Sequence, residues 1–184
     1  MSKTWFTSDT HFGHHNIIRY CSRPFGSTEE MDGELVARWN SVVSPHDEIW
    51  HLGDFVHRGQ KSPGDYLRLL NGRKNLVWGN HDNSEARTDP GWASSQAMAE
   101  IKVDGQRIVL LHYALRVWPR SHHGALHLYG HSHGNLPGDR QSLDVGVDCW
   151  DYRPVSLTKI RARLATLPER VPVDHHGRNN AGEG

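Results

Sequence analysis

The chain has 184 residues, enough for one well-packed core and short for two, so a single domain is expected. Its 21 Lys and Arg balance 21 Asp and Glu, which leaves no net charge to steer it toward nucleic acid or an anionic membrane. Two cysteines, Cys21 and Cys149, give no disulfide framework and no Cys-x-x-Cys zinc pattern, no apolar leader opens the chain, and the best apolar stretch (Ile108 to Trp118) is interrupted by His112 and Arg116, so a soluble, cytoplasmic protein is expected.

Thr4 to Ser8, TWFTS, is β-branched and aromatic and predicts a buried strand that delivers Asp9 and His11 at its carboxyl end. Ser27-Thr28-Glu29-Glu30 has the form of a capping box, and Met31, Leu35, Trp39 and Val42 then recur at helical spacing, which predicts a core-facing helix. Pro45 follows it, and EIWHLGD from Glu48 predicts a second strand ending in Gly53-Asp54. A helix is expected from Gly64 to Leu70, leading through Asn71-Gly72 into KNLVWGNHD, a third strand whose end carries Asn80, His81 and Asp82.

Residues 83 to 95 are polar with Gly and Pro and read as a loop. Ala99 to Val103 and Gln106 to Leu111 flank Asp104-Gly105 as a hairpin whose second strand ends at His112. Tyr113 to Gly124 reads as irregular, and further strands are expected from Ala125 and over Ser142 to Val147, where residues alternate in period two. Asp144 and Asp148 could be extra ligands, but that alternation favours loop-facing or sheet-edge positions for them. Ser156 is placed to cap a last helix reaching Leu164. From Pro168 the composition turns to Pro, Gly, Asn and charge, which predicts a domain over 1–167 followed by a disordered tail over 168–184.

Fifteen histidines are the compositional oddity, and neutral imidazole is a common metal ligand. Five strand ends carry Asp9-x-His11, Gly53-Asp54, Gly79-Asn80-His81-Asp82, His112 and Gly130-His131-x-His133. In open α/β sheets reactive groups gather outside the carboxyl ends of strands, so these remote residues are expected to converge. Carboxylates, a carboxamide and imidazoles without thiolate suit Mn, Fe, Zn or Ni, and seven such ligands are too many for one tetrahedral ion, so two ions are implied.

These blocks, in this order, resemble the calcineurin-like metallophosphoesterase superfamily from about residue 4 to residue 158, with SDTHFGHHNII and LDVGVDCWDYRPVSL resembling small phosphoesterases of bacteria and their phages. The resemblance implies an α/β fold, an αββα sandwich of two mixed β-sheets flanked by helices. It implies that Asp9, His11 and His133 hold one ion, Asn80, His112 and His131 a second, and Asp54 bridges both. A metal-bridging hydroxide would then attack a phosphodiester or phosphomonoester. His81 would face the substrate and protonate the leaving oxygen, Arg58 would match the family's phosphate-touching arginine, and His14 could reach phosphate or simply hydrogen-bond a loop.

Where the family's protein phosphatases read Gly-Asp-x-x-Asp-Arg-Gly, this chain has His57 in place of the second aspartate, which in those enzymes orients the catalytic histidine. Asp82 is the substitute expected here. His46, His51, His122, His123, His127, His175 and His176 read as surface or satisfied residues, and Trp50, Trp78 and Trp118 as core or pocket wall. The partner implied is a phosphoester, nucleotide or nucleic-acid derivatives included, with no membrane, no disulfide partner and no stated oligomeric state. Alternatives are a metal-dependent nuclease, which the zero net charge disfavours, a cyclic-nucleotide phosphodiesterase, and a non-catalytic binding module, which the complete ligand set disfavours.

Overall fold

In the computed structural model, which describes residues 2–57 and 61–170, alternating short strands and capped helices build two mixed sheets. The chain runs β1 (Thr4–Thr7), α1 (His15–Tyr20), α2 (Thr28–Asn40), β2 (Glu48–His51), α3 (Pro63–Leu69), β3 (Arg73–Val77), α4 (Ser84–Thr88), β4 (Ser94–Gln96), β5 (Met98–Val103), β6 (Gln106–Leu111), β7 (Leu126–Tyr129), β8 (Ser142–Asp144), β9 (Val155–Ser156) and α5 (Leu157–Leu164). The first sheet has the order β4-β3-β2-β1-β9, parallel except for β9, and the second β5-β6-β7-β8, parallel except for β5.

Period two divides the core. Trp5, Ile49 and Leu76 point to the helical side of the first sheet, against Met31, Leu35 and Trp39 of α2 and Tyr66 and Leu67 of α3. Their neighbours Phe6, Trp50 and Val77 point the other way, into the layer shared with Ile108, Leu110, Leu126 and Leu128 of the second sheet. Leu157, Ile160 and Leu164 of α5 enter that same layer. Each such side chain stabilises the fold by roughly 1.5–3 kcal/mol relative to exposure. The outer side of the second sheet is covered near Val109 by Trp118, whose indole N–H donates to the Ala125 carbonyl at 2.9 Å.

The caps explain where helices start. Ser27 Oγ accepts from Glu30 N at 3.1 Å, while the Glu30 carboxylate reaches back one residue further than a capping box, to Gly26 N at 2.7 Å. The reciprocal box occurs at α3, between Ser62 and Asp65 with Pro63 in the first turn, so α3 begins at Pro63 and not at Gly64. Ser156 caps α5. Residues 83–95, expected as a loop, contain α4, capped by Asn83, and the start of β4, an edge strand whose Ser94, Ser95 and Gln96 carry no apolar signal. Helix α1 has no side-chain cap at His14, and two-residue β9 is too short to announce itself.

At the opposite, amino-terminal ends of the strands, Asp47 ties the segments that lead into β1 and β2. It accepts from Lys3 N at 2.9 Å, Ser44 N at 3.0 Å and Trp5 Nε1 at 3.0 Å. Burial alone would raise its pKa, but these donors hold it well below the usual carboxylate range. Pro168 and Arg170, the first part of the expected tail, bond to Arg140 N and the Arg116 carbonyl, each at 3.0 Å, and residues 171–184 lie outside the described residues. No described helix is long and apolar enough to cross a membrane.

Candidate metal centre

The loops that leave β1 and β2 are tied together: Asp9 N, His11 N and Phe12 N donate to the carbonyls of Gly53, Asp54 and Phe55, each at 3.0 Å. Five residues of this region have left-handed backbones without being glycine: Asp9 (φ 57°), His11 (49°), Asp54 (57°), His131 (65°) and His133 (46°). Such conformations cost of order 1–3 kcal/mol each and persist only where surrounding bonds fix them. Here they accompany side chains that lie beyond the carboxyl ends of β1, β2 and β7 and meet in two groups of donor atoms. A glycine makes the closest approach possible, since a Cβ on Gly130 would lie 2.0 Å from Ser8 Oγ and 2.5 Å from Asp9 Oδ2.

Asp9, His11 and His133 present donor atoms within 4.8 Å of one another. Asp9 is fully buried, and its carboxylate accepts from His131 N at 3.1 and 2.9 Å. Burial raises Asp9 to about 7, against the pull of nearby His112 and His133. It also lowers His11 to about 2, with both His11 ring nitrogens buried and lacking any described hydrogen-bond partner. A buried carboxylate beside an orphaned neutral imidazole is the environment that a cation stabilises.

Asp54, His112 and His131 form a second such group. His112 Nδ1 lies 2.7 Å from the Leu52 carbonyl, which can only accept, so that nitrogen carries the proton. His112 Nε2 then faces Asn80 Oδ1 at 3.1 Å and Asp54 Oδ2 at 3.4 Å, two oxygens that only a second proton or a cation between them can reconcile with it. Burial would raise Asp54, but His112, His11 and the N–H of His81 hold it well below the usual carboxylate range. Its Oδ2 is also 3.6 Å from His11 Nε2, which places this carboxylate between the two groups.

Beside the second group opens a cleft of about 720 Å³, lined among others by His57, Lys61, Asn80, His81 and Glu85. His81 is exposed there; its ring lies 5.5 Å from that of His11 and 6.1 Å from that of His57. His14 stacks on His57 at 3.9 Å and sits 5.4 Å from His11, and burial with the neighbouring histidines His57 and His81 lowers it to about 4. The geometry therefore joins two ligand groups through one carboxylate and leaves an imidazole facing the open side.

The calcineurin-like phosphoesterase superfamily domain matches residues 3–145. The chain belongs to that superfamily. An uncharacterized protein of Methanocaldococcus jannaschii is 34% identical over 169 residues, covering 87% of this chain and 90% of its own. The gene 66 protein of Mycobacterium phage L5 is 29% identical over 82% of this chain and 88% of its own. A solved protein of unknown function from Aquifex aeolicus superposes with a TM-score of 0.68 at 26% identity, covering 89% of this chain and all of that one. Membership makes the chain a metal-dependent phosphoesterase in outline, and among the described residues three side-chain groups, the two above among them, have the make-up to hold metal.

Asp82, the candidate substitute for the aspartate that His57 replaces, is bonded to backbone. Its buried carboxylate accepts from Asp54 N at 2.9 Å, Phe55 N at 2.9 Å and Gly79 N at 2.7 Å, so it ties the loops after β2 and β3, and among the described hydrogen bonds none joins it to the His81 ring. Burial raises its pKa against those bonds. Arg58 lies outside the described residues. Asp148 lies in the turn after the edge strand β8, where its carboxylate bonds His133 Nδ1 at 2.7 Å and is gripped by the buried Arg23. Asp144 is buried too and accepts from Gly134 N and Gly146 N. The signal for both was present in LDVGVDC, where acids alternate with apolar residues and so need internal partners. Cys21 also approaches His133 and Asp148 within 4.8 Å, but the Asp148 oxygens already serve Arg23 and His133.

Proposed function

We propose that residues 1–167 form a phosphoesterase domain that uses two metal ions to hydrolyse phosphodiester or phosphomonoester bonds. The observation that carries this reading is Asp54 Oδ2, 3.6 Å from His11 Nε2 and 3.4 Å from His112 Nε2, shared between two ligand groups. Asp9, His11 and His133 would hold one ion, Asn80, His112 and His131 the other, and Asp54 both. Mn, Fe, Zn and Ni all suit these nitrogen and oxygen donors. Bound there, the ions would supply positive charge to phosphoryl oxygens and acidify an attacking water.

The chain's own residues do the rest. His81, exposed on the cleft side with its backbone N–H fixed to Asp54 Oδ1 at 2.9 Å, holds a proton for the leaving oxygen. His14, braced against His57, offers an imidazole to phosphate, and Arg58 would add a guanidinium fork. Asp82 holds the backbone that aims Asp54 and Asn80, a positioning role. Tyr113, 46% exposed with its ring 4.6 Å from that of His131, gives an aromatic face on which a nucleobase could stack, which supports nucleotide-derived esters among the substrates. The unpaired Cys21 and Cys149 fit a reducing, cytoplasmic setting.

The test is turnover of an aryl phosphodiester and an aryl phosphomonoester by protein loaded in turn with Mn, Fe, Ni and Zn, with Asp54→Asn as control. Expected are two ions per chain and turnover of at least one ester, falling by about 10²–10³-fold or more in the variant, the scale for loss of one electrostatic group at a reacting centre. Two tightly bound ions without turnover of either ester would favour the binding module.

A further inference from the structure

Arg23 lies in the turn between α1 and α2, and its side chain is fully buried. All its donors are committed. Nε and Nη2 grip Asp148 Oδ1 and Oδ2, each at 2.9 Å, a bidentate fork across 125 residues of sequence. Nη2 also donates to the Asp9 carbonyl at 2.7 Å, and Nη1 donates to the Thr10 carbonyl at 2.9 Å and to Met31 Sδ at 3.5 Å. Asp148 in turn accepts from His133 Nδ1 at 2.7 Å. The turn that carries Asp148 is itself fixed to the end of β1 by Val147 N donating to the Ser8 carbonyl at 3.0 Å.

One guanidinium therefore fixes the backbone between Asp9 and His11 and, through a carboxylate, the ring of His133. Those are the three members of one metal-ligand group. Among the described residues, none of the hydrogen bonds of Arg23 or Asp148 reaches Asp54, Asn80, His112 or His131. Because the Asp148 carboxylate can only accept, it keeps the proton on His133 Nδ1 and leaves Nε2 as the coordinating atom.

We infer that Arg23 and Asp148 are positioning residues dedicated to the Asp9–His11–His133 ion site, setting its affinity independently of the second site. This rests on the proposed two-ion reading. The test is calorimetric titration of metal-free protein with Zn²⁺, comparing wild type with Asp148→Asn and Arg23→Lys, each checked by its metal-free melting curve. Expected is a two-site isotherm in which either substitution weakens one site by about 10–100-fold and leaves the other within about twofold. Equal affinities in wild type and variants, or equal weakening of both sites, overturns the inference. Wild type that binds fewer than two ions overturns the two-ion reading itself. Should both variants fail to fold, ¹⁵N-histidine NMR of the Zn²⁺-loaded wild type decides. Nδ1–H on His133 with coordination through Nε2 supports the clamp, and coordination through Nδ1 overturns it.

Discussion

The two halves of the candidate centre are built differently. Asp9 and His11 are buried to within 2% and His133 is backed by a carboxylate and a guanidinium, whereas Asn80 and His131 are exposed and the buried His112 is backed at Nδ1 by the Leu52 carbonyl and no charged group. One side of the shared Asp54 is thus a closed socket with its own supporting layer, and the other faces the cleft where His81 stands. Rigid support lies where substrate does not enter, and exposure lies where it does. That division agrees with a general need of such sites, in which groups around the ligands fix their orientation while open positions admit the reacting molecule.

The comparison breaks most severely at His81. His81→Ala is expected to lower kcat on an aryl phosphodiester by about 10²–10⁴-fold with both ions retained, measured by kinetics alongside metal analysis. Metal loss that accounts for the whole fall in activity would remove His81 from the proton-transfer role. The closed half is attacked more directly by Gly130→Ala, whose Cβ would meet Ser8 Oγ at 2.0 Å and Asp9 Oδ2 at 2.5 Å. Its expected cost is about 1–3 kcal/mol in denaturant melts of metal-free protein, with weakened binding of one ion before the other. Unchanged stability and affinity would mean that the loops after β1 and β7 yield freely, contrary to a rigid socket.

The smallest effect lies far from both halves and calibrates the rest. Asp47 is held below the ordinary carboxylate range by its N–H donors, so the stability it adds is present above about pH 4 and is lost as pH falls from there through its lower folded value. Asp47→Asn should cost about 1 kcal/mol near neutrality and flatten that acid limb, read from urea melts of metal-free protein between about pH 6 and pH 3. An acid limb as steep as that of wild type would assign the loss to other carboxylates.

Much of the architecture was legible because it follows local rules. TWFTS, EIWHLGD and KNLVWGNHD read as strands that end in chemistry, and the Ser27 and Ser156 caps and the Asp104-Gly105 turn mark elements where they occur. The polar edge strand β4, the uncapped α1 and the two-residue β9 left no pattern, since an edge needs no apolar alternation and short elements are held by their neighbours. At the centre, residue types and order identified the converging side chains. Nothing in the types of Asp9, His11, Asp54, His131 or His133 announced left-handed backbones, because those are imposed by bonds between distant loops. The Arg23–Asp148 pair was hidden for the same reason, its partners being 125 residues apart. The backbone partners of Asp82 are three N–H donors that no residue pattern records.

The most direct measurement is an anomalous-difference map from crystals of the Mn²⁺-loaded protein. The expected result is two strong peaks, one among Asp9, His11 and His133 and one among Asn80, His112 and His131, with Asp54 touching both. A single peak, or a peak among Cys21, His133 and Asp148 in place of the first, would contradict the two-ion centre.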